Sequence, residues 1–79
     1  MKLGKAKEGE LIRILTGNLG FSTRRIYLVG KRARDTQHGL CVYIHGNVLD
    51  KSDTYILESK LYEVEVVGKM HVKPIKNRK

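Results

Sequence analysis

The sequence predicts an all-β fold, with five short strands and one helical turn before the last of them. Three observations carry that prediction. Apolar residues recur at every second position in several short runs, the period of a strand buried on one face. Glycine, asparagine and aspartate gather between those runs, where the backbone has to turn. The one stretch that competes for a helix, Tyr55–Val67, spaces Leu57, Leu61 and Val64 helically but closes on strict alternation and β-branched residues, which favour a strand.

Residues 1–9 are polar, with Gly4 and Gly9, and predict a loose N-terminal arm. Glu10–Thr16 is the first strand, with Ile12 and Ile14 inward and Arg13 outward. Gly17-Asn18-Leu19-Gly20 breaks it, and Phe21 follows in a loop with Arg24 and Arg25 close behind. Arg25–Arg32 and Leu40–His45 form a central hairpin whose polar connection, Ala33 to His38, carries Arg34 at its tip. In the later strand Leu40, Val42 and Ile44 share one face, while Cys41, Tyr43 and His45 share the other. In the earlier one the same alternation puts Ile26 and Leu28 inward, and Arg25, Tyr27, Val29 and Lys31 outward.

A turn-rich stretch, Gly46–Asp53, leads to a fourth strand at Thr54–Leu57. Glu58–Leu61 is too short for a stable helix and reads as one helical turn, after which Tyr62–Val67 alternates again. The folded unit is thus residues 10–68, and residues 69–79 form a flexible basic tail. The expected core is Ile12, Ile14, Ile26, Leu28, Val42, Ile44, Leu57, Val64 and Val66.

This order of elements resembles an SH3-like small barrel of the KOW and Tudor kind. Tyr55–Val66 is similar to the closing segment of those folds, where a strand runs into a one-turn helix and a final strand. Arg13–Gly20 is similar to the opening of a KOW motif, in which a strand enters a glycine-marked loop. The resemblance implies a five-stranded SH3-like barrel and a module that binds nucleic acid or protein.

With 79 residues and a single cysteine, the chain supports one small core and no intrachain disulfide. Its N-terminus is basic without an apolar run behind it, and its longest apolar run, Leu40–Ile44, is far short of a membrane span. A soluble cytoplasmic protein with no membrane partner is expected. The net charge is +8, and it is segregated. Residues 13–34 hold six cations and no acid, residues 35–67 carry a net charge of −4, and residues 68–79 return to +5. Segregated cations are the footprint of a nucleic-acid partner.

Cys41 and His45 sit four residues apart on one strand, about 13 Å at strand rise, too far to share a tetrahedral metal. No phosphate loop, nucleophile elbow or paired acidic motif appears, so neither a metal, nor another cofactor, nor an enzymatic activity is expected. The aromatic and basic residues remain. Bases stack on rings while cations track phosphates, and arginine favours bidentate phosphate contact. The candidate nucleic-acid-binding residues are therefore Arg13, Phe21, Arg24, Arg25, Tyr27, Lys31, Arg32, Arg34 and Tyr43, with Lys73 and Lys76 from the tail. A structural account competes with this one: Tyr27 and Tyr43 are cross-strand partners and Phe21 plugs an open end of the barrel. Two functions fit these residues. One is a non-catalytic DNA- or RNA-binding module with little sequence specificity. The other is an accessory or inhibitor that docks on an acidic protein surface.

Overall fold

The computed structural model describes residues 1–16 and 21–70. Five strands form one antiparallel sheet: β1 (Glu10–Ile14), β2 (Ile26–Asp35), β3 (Gly39–Asn47), β4 (Ser52–Glu58) and β5 (Val64–Lys69). Their order across the sheet is β4-β3-β2-β1-β5, so β4 and β5 are its edges. Tyr55–Val67 is not a helix. It divides into β4, a 3-10 turn at Ser59–Leu61 and β5. Among the described residues no helix is long and apolar enough to cross a membrane. The expected glycine turn at residues 17–20 and residues 71–79 of the expected tail lie outside the described residues. Lys69, also assigned to that tail, belongs instead to β5, and the Met70 N–H is bonded to the Gly9 carbonyl.

Residues directly opposite each other in a ladder share a face. Ile12 stands opposite both Tyr27 and Val66, and Ile14 stands opposite Val64. Tyr27 and Val29 therefore point into the core, not Ile26 and Leu28, which corrects the expected register of β2. Tyr27 is 2% exposed. Ile26 is only half-buried, opposite Arg13 on the other face. Leu28 is 3% exposed but outside the core cluster, opposite Leu11 and His45. Val66, also expected in the core, is partly buried against it. The cause is local: Ile26-Tyr27-Leu28-Val29 is an unbroken apolar run, and alternation cannot set the phase of such a run.

Beyond Val29 the β2–β3 register slips. Val29 faces Ile44, but Arg32 faces Val42, so Gly30 and Lys31 together oppose Tyr43 in a β-bulge. The bulge returns Arg32 to the core side of the sheet, and β2 continues to Asp35. Arg34 accordingly lies on a strand and not at a loop tip. The turn is only Thr36–His38, closed by Gly39 at φ 73 and by the Gln37 N–H donating to Asp35 Oδ1 at 3.0 Å.

The N-terminal segment is not loose. Leu3 and Ala6 are fully buried. A 3-10 turn at Leu3–Lys5 brings positions three apart into line, so two apolar residues in a lysine-rich stretch suffice to make one buried face. The Leu3 N–H donates to the Tyr62 carbonyl at 2.9 Å, and the Val64 N–H donates to the Met1 carbonyl at 2.7 Å. These bonds lay the segment along the start of β5. Burying Leu3 alone contributes roughly 1.5–3 kcal/mol.

Candidate nucleic-acid interface

The inner face of the sheet consumes most of the predicted aromatic residues. Phe21 meets the rings of Tyr27, Tyr55 and Tyr62 edge-on, with centroids 5.8, 5.1 and 6.1 Å apart. This is the geometry aromatic pairs prefer, and it spends Phe21 and Tyr27 on the core. Burial pushes the Tyr62 phenol up from its ordinary value, and the Glu58 charge adds to that.

Three of the predicted cations are held by the fold. Arg25 Nη2 lies 2.7 Å from Asp53 Oδ2, and its guanidinium covers the Tyr27 ring at 5.4 Å from the centroid. Both groups cross β3 at Gly46, where a Cβ would overlap Asp53 Oδ2 and Arg25 Nη2. Asp53 itself sits at φ 58, a strained backbone region for a residue with a side chain. It also accepts from Tyr55, and that hydrogen bond pushes the Tyr55 phenol up. Arg32 Nη2 donates to the Gly4 carbonyl at 2.8 Å and to the Ala6 carbonyl, clamping the N-terminal segment onto the sheet. Arg13 Nη1 lies 3.5 Å from Glu65 Oε1 on the outer face, and its Nε is buried with no partner.

Arg24, Lys31 and Arg34 are exposed, and among the described residues no acid pairs with them. Arg24 precedes β2 and Arg34 stands near its far end, about 30 Å away at strand rise. The arginines that neighbour one another in the sequence are therefore not brought to one patch. Lys73 and Lys76 lie outside the described residues.

What the structure assembles instead is a cleft on the outer face, over the β2 bulge. Its volume is about 340 Å³ and its lining includes Glu8, Leu28, Gly30, Lys31, Tyr43, His45, Lys51 and Met70. Lys31 projects from the bulge with its Nζ 5.2 Å from the centroid of the half-buried Tyr43 ring. His45 packs on Gly30 so closely that a Cβ there would lie 2.8 Å from His45 Nε2, and its Nδ1 is hydrogen-bonded to Thr54 Oγ1 at 2.9 Å. Lys51 comes from the β3–β4 turn at φ 58, two residues before Asp53, which has the same φ at the start of β4. Next to it Asp50 accepts from the Ser52 hydroxyl at 2.6 Å and from its N–H at 3.0 Å, which holds the Asp50 carboxyl below its ordinary range. Met70 donates its N–H to the Gly9 carbonyl at 2.8 Å, which holds it in the lining of the cleft.

Of the sequence candidates, the cleft keeps Lys31 and Tyr43. It adds Glu8, Gly30, His45, Lys51 and Met70, none of them among the nucleic-acid-binding residues expected from the sequence. One sequence feature pointed there: Gly30 interrupts an apolar strand, the mark of a bulge or a close approach. Among the described residues no three His, Cys, Asp or Glu side chains gather as a metal site. The chain matches no family model, and we find no curated protein and no solved structure that matches it.

Proposed function

We propose that the protein is a non-catalytic nucleic-acid-binding module that holds the phosphate backbone with little sequence specificity, on an SH3-like barrel scaffold. The order β4-β3-β2-β1-β5 and the 3-10 turn between β4 and β5 support the scaffold. One observation carries the function: five of the eight acids are held by cations or by His38, while Lys31 and Lys51 of the outer-face cleft have no acid partner among the described residues. Glu63, Glu65 and Asp53 each pair with a cation, and Asp35 and Glu58 flank His38. The charge left over includes Lys31 and Lys51, placed beside a half-exposed tyrosine. Cations around an accessible ring suit a polyanion whose bases stack.

The test is binding to DNA and RNA oligomers across a salt series. The logarithm of the binding constant should fall with the logarithm of salt by about 0.7–0.9 per phosphate neutralised. Replacing Lys31 and Lys51 together by Gln should lower that slope by roughly one to two, with the fold intact. Binding equal to the parent at every salt concentration would remove this reading. Arg25 and Arg32 are left unchanged in that variant because their loss would loosen the fold and confuse the result.

A second reading, docking on an acidic protein surface, is favoured by the edge strand β4. Ile56 is 58% exposed on that edge, and Leu49 is 87% exposed in the turn before it. An open edge with apolar side chains is suited to pairing with a strand of a partner. Retention of an acidic protein partner by the parent and its loss on Ile56→Lys would support this second reading.

A further inference from the structure

We propose that the outer-face cleft takes a single unpaired nucleotide, so that the module prefers single-stranded nucleic acid to duplex; this rests on the nucleic-acid reading above. The reason lies in what the cleft offers and how much. At about 340 Å³ it is at the lower end of the range of small-molecule sites, roughly 300–1,000 Å³. Its apolar surface comes from Leu28 and Met70, and its ring from Tyr43. A base face needs such a surface, and in a duplex that face is already stacked and buried.

Charge sets the orientation of the nucleotide. Lys31 and Lys51 line the cleft and attract the phosphate; the Lys31 ammonium lies over the Tyr43 ring, so a base stacking on that face displaces it toward the nucleotide's own phosphate. Glu8 is the one acid of the lining. It repels a phosphate but accepts a hydrogen bond from a base amino group, as carboxylates do from cytosine N4. Two features hold the cleft open. Gly30 presents no Cβ, so the His45 ring lies flat against the strand, and the left-handed Lys51 turns the β3–β4 connection to its rim.

The test compares a ten-nucleotide single strand, an abasic strand of the same phosphate number, and a hairpin duplex, by fluorescence anisotropy with the full chain. The single strand should bind about tenfold or more tightly than the abasic strand, since stacking of one base is worth that much, and more tightly than the duplex. Tyr43→Ala should remove most of that advantage, and Tyr43→Phe should restore it. Amide shifts at Gly30, Tyr43 and His45 on adding the single strand would place the ligand. Equal affinity for the abasic strand, or tighter binding to the duplex, overturns the single-nucleotide cleft and leaves the backbone-binding module standing. Binding to none of the three at low salt removes both.

Discussion

Tyr27 and Tyr43 lie on neighbouring strands of the same hairpin, and the fold gives them opposite fates. Tyr27 points inward, edge-on to Phe21 and covered by the Arg25 guanidinium. Tyr43 points outward, half-exposed beside Lys31 in the cleft. Their immediate neighbours in the sequence are alike, each a tyrosine among β-branched and apolar residues, although only Tyr27 has arginines close by. The difference arises from pairing. Tyr27 is fixed by Ile12 across the β1–β2 ladder, whereas Tyr43 is the single residue opposed by the two residues of the bulge. A cationic aromatic surface is thus made by register, and residue type alone does not identify it.

The largest test of that contrast is to truncate both rings. Tyr27→Ala should destabilise by about 3 kcal/mol or more, because it removes a buried ring packed against Phe21 and Tyr55 in a small core. Tyr43→Ala should cost less than about 1 kcal/mol, as expected for a partly exposed site. Urea denaturation of the two variants checks this, and equal losses would show that the two faces are not distinct.

Next in size is Arg32, which the sequence grouped with phosphate ligands and the structure uses as a clamp. Arg32→Ala should cost about 1–2 kcal/mol through two lost carbonyl contacts. Faster hydrogen exchange at Leu3 and Ala6 would locate the effect in the N-terminal segment. Unchanged protection there would return Arg32 to the list of free cations.

Gly30→Ala probes the outer face alone. The added methyl meets His45 Nε2 at 2.8 Å and the Tyr43 carbonyl at 3.2 Å, so the ring must shift. A loss of about 1 kcal/mol is expected, with the His45 ring resonances displaced and oligonucleotide binding weakened. Unaltered His45 resonances would mean that Gly30 does not shape the cleft.

The smallest effect concerns the tip of the hairpin. His38 Nδ1 lies 2.5 Å from Asp35 Oδ2, and its Nε2 lies 3.9 Å from Glu58 Oε2. The hydrogen bond and charge of Asp35 raise the His38 pKa above its ordinary 6.5. The same hydrogen bond, with one from the Gln37 N–H, lowers that of Asp35 below 3.8. The stability His38 supplies is therefore full below pH 6.5 and lost as pH rises through its raised pKa. That of Asp35 is present above pH 3.8 and lost as pH falls through its lowered pKa. Urea midpoints followed from pH 5 to 9 should drift slightly downward above pH 6.5 in the parent, and that part of the drift should vanish in His38→Gln. The pair is solvent-exposed, so the drift should be small and reduced further by salt.

Much of the architecture was legible in the chain itself. Alternation at Glu10–Ile14 and Leu40–Ile44, glycine and aspartate between runs, and the break near Ser59 determine five strands and a turn before the last. Charge segregation is likewise a property of the sequence alone. These features are local, set by periods of two and by the backbone preferences of single residues. Tertiary structure decided the rest. Ile26-Tyr27-Leu28-Val29 has no phase of its own, and only pairing with β1 turns Tyr27 inward. Leu3 and Ala6 become core through distant partners: Tyr62 and Val64 bond the backbone at Leu3 and Met1, and Arg32 holds the Gly4 and Ala6 carbonyls 28 and 26 residues away. Arg25 and Asp53 find each other 28 residues apart across a glycine. The cleft depends on a slip of one residue between β2 and β3, which no property of Lys31, Tyr43 or His45 taken singly contains.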